Sequence, residues 1–432
     1  MQQQDNDLLT AVRAGTPMGE LMRRYWHPVA AVTELDERPL KPVRLMGEDL
    51  VLYKDLSGNY GLLDRYCAHR NADLSNGMVE ANGVRCSYHG WAYEGGGRCV
   101  AKPFEDIVQM PGAPTRGHTR LKAYKVQAKG GMLWTYMGPE PTPLVPDWEP
   151  LSWNNGFVQI VFAEVPCNWL QCQENSIDPV HFEWQHFNFS VRAEGKVGPY
   201  VPRHLKLSFK EFDYGYTYGR VSENSSEDDE LWQVGRVCLW PNALFTSNHF
   251  EWRVPIDDEN TLSVTWSFAR VPRDREPYVQ ERIPYWYGPL KDQATGRWID
   301  THVMNQDFMA WVGQGRITDR TREQLGRSDQ GIVAIRRRFL ADLEAIKEGR
   351  DPKGLIRDPE QNVRVPLPII GRRHYIEGLS REQMAADPWL ALQVSPDSFI
   401  FQAGQPEHVV AEYEAAMGLT MNRQGFVKRP GE

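Results

Sequence analysis

The chain has 432 residues, carries a formal net charge of -8 at pH 7, and contains 41% hydrophobic and 25% charged residues. This length predicts two or three domains with room for more than one buried core. The acidic balance gives no attraction to nucleic acid or to an anionic membrane surface, so we expect neither as a partner. No apolar run approaches the roughly eighteen residues that a spanning helix needs, and the polar amino terminus MQQQDNDLL lacks a signal-peptide pattern. We therefore expect a cytoplasmic protein.

The first third of the chain predicts a short helix followed by strands. Thr16 and Pro17 form a typical helix start, with the threonine as cap and the proline at the first helical position. The segments VRLMGEDLVLYKD, GLLDRYC and KAYKVQAKGGMLWTYMG have the composition of strands joined by turns, so residues from about 40 to 138 are predicted to be all-β. Five prolines in the thirteen residues from Gly138 to Pro150 exclude a helix or a central strand and predict a domain linker there.

The rest of the chain predicts a second domain of mixed type. Segments such as FVQIVFAEV, WQVGRVCLW and TLSVTWSFARV are rich in β-branched and aromatic residues, which suits an antiparallel sheet with helices on one side. Between residues 328 and 349 apolar side chains recur at helical spacing, which predicts a helix whose three arginines at 336–338 form a solvated face. The predicted fold class is therefore α+β, with an all-β domain in residues 1–150 and a sheet-plus-helix domain in residues 151–432.

Two pairs of metal-ligand residues lie in the predicted all-β domain. RYCAHR contains Cys67 and His69, and after sixteen intervening residues CSYHGWAY contains Cys86 and His89. Two cysteines and two histidines satisfy tetrahedral zinc, but zinc fingers usually pair cysteine with cysteine and histidine with histidine. A Rieske 2Fe-2S cluster binds two thiolates on one iron and two imidazoles on the other. Two mixed loops, each with one thiolate and one imidazole, therefore favour the cluster.

A second group of polar residues follows the predicted linker in NWLQCQENSIDPVHFEWQHF. Two histidines and one carboxylate on one face of an iron are typical of non-haem Fe(II) oxygenases, which leave the opposite positions for dioxygen and substrate. His181 and His186 are five residues apart and point away from each other on a regular helix. Joint binding therefore requires a bend or a ligand at a helix end. The nearest candidates for the carboxylate are Glu174 and Glu183.

Together these motifs resemble those of the Rieske non-haem iron ring-hydroxylating oxygenases, specifically of their large (alpha) subunit. The resemblance is carried by CAHR, CSYHGWAY, ENSIDPVH and QGRITDRTREQLGRSDQGI, and so covers most of the chain. It implies that Cys67 and Cys86 bind one iron of the cluster, and that His69 and His89 bind the other. It also implies a helix-grip-like catalytic domain with a mononuclear Fe(II). The implied ligands of that iron are His181, His186 and Asp307.

The same resemblance gives functions to two further residues and implies an assembly. Asn175 is expected beside the mononuclear iron, and Asp178 matches a bridging aspartate that hydrogen-bonds a ligand histidine and also His89 of a neighbouring subunit. Helix capping beside Pro179 is the structural alternative for Asp178. Because electrons then pass between subunits, a homotrimer or a stack of two trimers is implied. No glycine-rich dinucleotide fingerprint lies beside these sites, so a separate NAD(P)H-dependent reductase is expected, acting directly or through a ferredoxin.

The expected substrate follows from a narrower resemblance. KPVRLMGEDLVLY and the segment after Asp307 are similar to the phthalate dioxygenase group, which acts on aromatic acids and includes O-demethylases of lignin-derived biaryls such as dehydrodivanillate. We expect O-demethylation of a methoxylated aromatic acid, with cis-dihydroxylation of a phthalate-like carboxylate as the alternative. An anionic substrate favours arginine contacts, and the candidates are Arg220 and Arg236, although a purely structural function stays open for each. Of the remaining histidines, only His249 on an aromatic strand is a candidate for the site.

Two hypotheses from other classes stay open at this point. A Rieske electron-transfer protein would use its second domain only to dock partners, and a zinc-stapled binding module would contain no iron. An oxygenase should contain about three irons per chain, two in the cluster and one alone. Iron content and colour therefore separate the three hypotheses.

Overall fold

The computed structural model describes residues 1–108, 119–193, 195, 203–387, 390–391 and 402–421. No helix in these ranges is both long enough and apolar enough to cross a membrane. The helices are α1 (Gln3–Thr10), α2 (Pro17–Met22), α3 (Val32–Glu37), α4 (Pro103–Ile107), α5 (Trp169–Asn175), α6 (Phe189–Ala193), α7 (Glu230–Gln233), α8 (Val303–Gly313), α9 (Gln330–Lys347), α10 (Arg372–Ile376), α11 (Arg381–Ala385) and α12 (Glu407–Met417). A π-helix (Phe182–Asn188) directly precedes α6.

The amino-terminal strands form two antiparallel sheets. Their strands are β1 (Trp26–Ala31), β2 (Leu40–Leu45), β3 (Glu48–Lys54), β4 (Tyr60–Asp64), β5 (Met78–Val79), β6 (Val84–Arg85), β7 (Ala92–Tyr93), β8 (Cys99–Ala101), β9 (Ala123–Lys129) and β10 (Met132–Tyr136). Six of them form one sheet in the order β1-β10-β9-β4-β3-β2, and the other four form a small sheet in the order β5-β6-β7-β8.

The carboxy-terminal half is built on one large sheet. Its strands are β11 (Gly156–Val165), β12 (His204–Phe212), β13 (Gly215–Ser222), β14 (Arg236–Leu239), β15 (Ala243–Phe245), β16 (His249–Pro255), β17 (Thr261–Arg270) and β18 (Tyr285–Tyr287). Their order is β12-β13-β14-β15-β16-β17-β11-β18, and only the pairing of β11 with β18 is parallel among these strands. A β-rich first half and a sheet with helices in the second half confirm the predicted α+β class.

Strand β4 of the six-stranded sheet and the small sheet together position the two Cys-His loops. The first loop follows β4, and the second connects β6 to β7. In the second loop Gly90 N donates to Cys86 O at 3.1 Å, and Cys86 N donates to Trp91 O at 2.8 Å, so the loop closes on itself. Gly90 has a φ of +76°, which a residue with a Cβ rarely adopts. The glycine after His89 is therefore required by the loop geometry.

Helix α9 confirms the helix predicted between residues 328 and 349. Its side chains Ile335, Phe339 and Leu343 are at most 1% exposed, and each such burial contributes roughly 1.5 to 3 kcal/mol. The ring of Phe339 stacks on that of Trp240 with centroids 4.0 Å apart. Gly349, with a φ of +74°, follows the last turn and ends the helix.

The predicted solvated face at 336–338 is wrong for Arg336. This side chain is buried and donates to the carboxylates of Glu174 at 2.6 Å and Glu323 at 2.7 Å. Three consecutive helical residues spread over most of a turn, because a turn takes 3.6 residues. A run of three arginines therefore does not lie on one face, and one of them points inward.

The division of the chain at residue 150 stays a prediction. The amino-terminal helices pack on the second half, since Asn6 Nδ2 donates to Thr318 O at 3.1 Å and Asn168 Nδ2 donates to Thr10 O at 2.9 Å. One apolar core also contains residues of both large sheets, from Leu9 to Met417. The predicted linker does lie between β10 and β11, and so separates the two large sheets in sequence.

Candidate active site

The two Cys-His loops form the first candidate metal centre. Cys67 and Cys86 are 1% and 2% exposed, while His69 is half-buried and His89 is exposed. The two imidazole rings lie 4.5 Å apart, centroid to centroid. Two thiols therefore lie inside the domain, and two imidazoles lie toward its surface, which is the donor division that a Cys₂His₂ iron-sulfur cluster needs.

Neighbouring aromatic residues fix these donors. The Tyr93 hydroxyl lies 3.1 Å from Cys67 Sγ and accepts a hydrogen bond from Ala68 N at 3.2 Å. The ring of His69 stacks on Trp91 at 4.6 Å, and His69 Nδ1 is buried with no hydrogen-bond partner in the described part of the chain. A buried ring nitrogen without a partner is costly unless it binds a metal, so the residues fit a bound cluster. Tyr93 was not assigned from the sequence, although it ends the CSYHGWAY motif.

The second candidate centre joins three residues from two helices. His181 directly precedes the π-helix, His186 lies within it, and Asp307 lies in α8. Asp307 Oδ1 is 3.5 Å from His186 Nε2 and 3.9 Å from His181 Nε2. Potential ligand atoms of the three residues all lie within 4.8 Å of one another. These distances leave room for one ion between three converging donors.

The π-helix explains how two histidines five residues apart come together. A π-helix forms i→i+5 hydrogen bonds, so its turn is wider than an α-helical turn and residues five apart return to the same side. The imidazole centroids of His181 and His186 are 5.1 Å apart. The expected bend is thus present as a change of helix type, with His181 at the helix end.

Amide side chains orient this centre. Gln306 Oε1 lies 2.9 Å from His186 Nδ1, and Gln306 Nε2 donates to Ser190 Oγ at 3.2 Å. Asp307 Oδ1 accepts from Gln185 Nε2 at 2.7 Å and from Asn175 Nδ2 at 3.3 Å. Sequence reasoning missed Gln185 and Gln306, whose only signal was that each is adjacent to a candidate ligand.

The protonation state of His181 suits metal binding. Burial lowers the pKa of His181 to about 3, so its imidazole is neutral at pH 7. Burial also lowers the pKa of His186, but the charge of Asp307 outweighs burial and raises it overall. His186 Nε2 is buried without a good hydrogen bond, since Asp307 lies beyond the usual range. Two imidazoles and one carboxylate with such an unsatisfied nitrogen fit a mononuclear iron.

Asp178 lies at the edge of this centre. Its Oδ2 is 3.9 Å from His181 Nδ1, while its Oδ1 accepts a hydrogen bond from Val180 N at 2.8 Å. The side chain is 28% exposed, and burial raises the pKa of its carboxyl group. The capping bond proposed as the alternative is therefore present, and the second oxygen is still directed toward a candidate ligand.

The two alternative carboxylates are engaged elsewhere. Glu174 is buried and forms ion pairs with Arg320 at 2.8 Å and Arg336 at 2.6 Å. Glu183 accepts from His204 N at 2.7 Å, with His204 Nδ1 at 2.9 Å from the same oxygen. Neither belongs to the group of converging donors, so the geometry favours Asp307 over both alternatives.

A cavity of about 480 Å³ opens onto the second centre and contains both candidate arginines. Arg220 on β13 and Arg236 on β14 lie over the ring of Phe182, with guanidinium carbons 4.6 Å and 4.4 Å from its centroid. Phe182 in turn contacts His181, with centroids 4.4 Å apart. Burial, together with the neighbouring Arg236, lowers the pKa of Arg220 to about 10, so the guanidinium group of Arg220 stays charged at pH 7. Arg220 and Arg236 therefore form a cationic side of the cavity, separated from the metal centre by the ring of Phe182.

His249 also lines this cavity, within a buried polar chain. His249 Nε2 lies 2.7 Å from Glu251 Oε1, and Glu251 Oε2 accepts from Arg253 at 2.7 Å. His249 Nδ1 is 2.7 Å from Thr246 Oγ1. Burial alone would raise the pKa of Glu251, but Arg253 and His249 lower it to about 2. The carboxylate is therefore ionised, and His249 must donate to it.

Known protein families and proteins match this arrangement. Residues 25–112 match the Rieske [2Fe-2S] domain, and residues 236–367 match the family described as LigXa C-terminal domain like. Over 424 residues the chain is 58% identical to the oxygenase subunit of 5,5'-dehydrodivanillate O-demethylase from Sphingobium sp. (strain NBRC 103272 / SYK-6), which covers 98% of this chain and 99% of that one.

Two more distant similarities extend the match. The chain is 30% identical over 397 residues to the oxygenase subunit of phthalate 4,5-dioxygenase from Pseudomonas putida, covering 81% of this chain and 88% of that one. The solved structure of an NdmA variant with caffeine from Pseudomonas putida CBB5 has the same fold, with a TM-score of 0.54, 21% identity, and coverage of 77% of this chain and 94% of that chain. The chain therefore belongs to the Rieske non-haem iron oxygenases, as a large oxygenase subunit of their phthalate dioxygenase-like group.

Proposed function

We propose that this chain is the terminal oxygenase of an O-demethylase for methoxylated aromatic acids, and that a lignin-derived biaryl acid such as 5,5'-dehydrodivanillate is its substrate. The main support is one cavity that is lined by two groups of residues. The first group is the metal-ligand candidates His181, His186 and Asp307. The second is Arg220 and Arg236, which lie over the ring of Phe182. The 58% identity to the dehydrodivanillate enzyme supports the biaryl. The phthalate 4,5-dioxygenase similarity gives weaker support to cis-dihydroxylation as the alternative.

The proposed metal ligands are those that the two centres bring together. Cys67 and Cys86 hold one iron of the 2Fe-2S cluster, and His69 and His89 hold the other. The mononuclear Fe(II) is held by the three donors of the second centre. When bound, the cluster supplies single electrons and the mononuclear iron activates dioxygen beside the substrate.

The side chains around the cavity prepare the substrate for this chemistry. Arg220 and Arg236 bind the substrate carboxylate, because planar guanidinium groups match carboxylate geometry. Aromatic side chains such as Phe182 and Phe268 cover the ring and exclude water. Hydroxylation of the methyl group gives a hemiacetal, which breaks down to a phenol and formaldehyde. The reaction consumes one dioxygen, two electrons and two protons, and releases one water.

The proposed assembly is a head-to-tail homotrimer, alone or as two stacked trimers, in which Asp178 meets His89 of a neighbouring subunit. Two exposed surfaces support it. His89 is exposed, and the imidazole of His89 forms no hydrogen bond within the described ranges. The neighbouring Tyr88 is 58% exposed. In the π-helix that follows Asp178 in the chain, Trp184 and Phe187 are 56% and 44% exposed. Exposed aromatic side chains at two electron-transfer sites are typical of surfaces that another subunit covers.

Electrons must come from another protein. An oxygenase subunit is one component of a multicomponent system, so a separate reductase supplies the electrons. We propose that this reductase uses NAD(P)H, acting directly or through a ferredoxin. The cytoplasmic location stays a prediction from the sequence.

A substrate screen tests the proposal. The holoenzyme with a surrogate reductase is offered methoxylated and carboxylated aromatic acids, and formaldehyde and diol products are measured. Formaldehyde in equal amount to a new phenol is the expected result. A cis-diol without formaldehyde would support the dihydroxylation alternative, and reduction of the cluster without any product would indicate an electron carrier.

A further inference from the structure

Five polar side chains form a row across the sheet that floors the cavity. His249 on β16 pairs with Ser267 on β17, and Ser267 pairs with Gln159 on β11. On the other side of His249, Thr246 N donates to His249 O at 3.0 Å. Thr246 follows β15, whose last residue, Phe245, pairs with Val237 on β14. Arg236, the residue before Val237, is therefore next in the row. Directly paired residues of antiparallel strands point to the same face. All five side chains line the cavity, so the row faces the substrate.

The hydrogen bonds of the row differ between its middle and its far end. Thr246 and His249 satisfy each other at 2.7 Å, and His249 also donates to Glu251. Ser267 Oγ has no hydrogen-bond partner within the described ranges and is only half-buried. Gln159 Oε1 accepts from Trp286 Nε1 and from Gln405 Nε2, each at 3.0 Å, whereas Gln159 Nε2 is a donor with no partner in the same ranges. The far end therefore has two donors without acceptors, on two residues that line the cavity.

We propose that Ser267 and Gln159 form a second anion subsite, which binds the carboxylate of the distal ring of a two-ring diacid. The proposal rests on the proposed function, because it takes Arg220 and Arg236 as the site of the first carboxylate. A carboxylate accepts hydrogen bonds only, and so matches two donors that lack acceptors.

The length of the row selects two rings over one. Neighbouring strands lie about 4.8 Å apart, so the three steps from β14 to β17 span about 14 Å. The arginine side chains extend into this span from one end, and Ser267 and Gln159 face it from the other. A single benzoate ring held by the arginines has no second carboxylate for the far end, whereas two linked rings that each carry a carboxylate bring the second one there. The middle of the row, where Thr246 and His249 satisfy each other, then lies beneath the linked rings.

The two donors predict different responses to substitution. Ser267→Ala removes one hydrogen bond, and should raise the Kd for 5,5'-dehydrodivanillate by roughly 5- to 10-fold. Gln159→Glu keeps the oxygen that Trp286 requires but places a negative charge against the distal carboxylate, and should raise the Kd by roughly 100-fold. The Kd for 4-hydroxy-3-methoxybenzoate, which is one half of the biaryl, should change by less than about twofold in both variants, because this ligand does not reach the subsite.

The experiment is anaerobic titration calorimetry on the holoenzyme with both ligands, followed by kcat/KM from formaldehyde release. Ser263→Ala is the matched control, because Ser263 lies on the same strand, is 1% exposed and is not part of the cavity lining. It should leave both Kd values unchanged. Equal weakening of both ligands by Ser267→Ala and Gln159→Glu, or no weakening of either, would overturn the subsite. Wild-type enzyme that releases no formaldehyde would contradict the demethylation instead, and the ratio of Kd values still decides on the subsite.

Discussion

The two candidate metal centres differ in how they are encoded. The four Rieske donors lie between Cys67 and His89 in two short loops of one small β domain. The mononuclear centre joins Asn175 and Asp307, which are 132 positions apart, and requires a π-helix to bring its histidines together. A motif of closely spaced residues can be recognised in the sequence. The residues of a centre that is assembled by tertiary packing are far apart in the sequence and form no such motif. The two centres should therefore be separable by mutation.

The largest effect is expected from removing a cluster ligand. Cys67→Ala should abolish reductase-driven turnover, because no electrons reach the second centre without the cluster. Iron content should fall from about three to about one per chain, and the Rieske-type EPR signal should disappear. Cys99→Ser is the matched control, because Cys99 is half-buried outside the motif. A Cys67→Ala protein that kept the EPR signal would contradict the ligand assignment.

Removal of the carboxylate of the second centre should remove the mononuclear iron and leave the cluster in place. Asp307→Ala should lower iron content from about three to about two per chain while the EPR signal stays, and turnover should fall by at least about 1,000-fold. Glu183→Gln is the control, because this buried acid bonds to His204 and lies outside the group of converging donors. Retention of all three irons in Asp307→Ala would show that another residue supplies the third ligand.

The connection between the centres is tested by Asp178→Asn. Both metal sites should keep their iron, while turnover falls roughly 10- to 100-fold, because the amide no longer attracts the proton of His181 Nδ1 or the neighbouring imidazole. The informative measurement is the rate at which dioxygen reoxidises a prereduced cluster with substrate bound. Asp329→Asn, an acid that acts on Asp178 only through its charge, should leave this rate unchanged. An unchanged rate in Asp178→Asn would limit this residue to helix capping.

Local patterns made much of the fold predictable. Helix α9 followed from apolar periodicity, and the two Cys-His loops followed from the spacing of their donors. The π-helix was not predictable, because its residues have ordinary helical composition and only the spacing of the two histidines showed that a regular helix would fail. The ion pair of Glu174 with Arg336 joins residues 162 positions apart, so no local pattern indicated that the arginine is buried.

The residues that orient the second centre were equally hidden. Gln306 and Gln185 are amides, which form no metal motif and titrate at no pH, so sequence reasoning gives them no distinct signal. The buried chain from Thr246 to Arg253 joins residues only two or three positions apart, but their side chains meet because β16 places His249, Glu251 and Arg253 on one face. His249 was selected from its strand position, but its partners were not.

A moderate effect is expected at one of these hidden residues. Gln306→Ala should weaken iron binding at the second centre by roughly 10-fold, because His186 loses the contact that fixes its ring orientation. Gln306→Glu keeps an acceptor oxygen for His186 Nδ1 and should recover most of the affinity. Iron retention during dialysis against a chelator measures this effect, with the EPR signal of the cluster as an internal reference. Equal losses in both variants would indicate a packing effect rather than a hydrogen bond.

Among these variants, Glu251→Gln should have the smallest effect on turnover. Its main effect should be on the pH dependence of the stability of the fold. Its pKa in the folded protein is lowered from 4.5 to about 2, so its ionised form stabilises the fold above the pKa of the unfolded chain. That contribution is present above about pH 4.5 and is lost as the pH falls toward 2, and is on the order of 3 kcal/mol. Glu251→Gln should therefore lower the denaturation temperature at pH 7 but flatten its decline between pH 5 and pH 3, as scanning calorimetry of both proteins can measure. If the denaturation temperature of Glu251→Gln declined as steeply as that of wild type, the acid sensitivity would come from other carboxylates. The Glu251 and Arg253 pair would then make no net electrostatic contribution to stability.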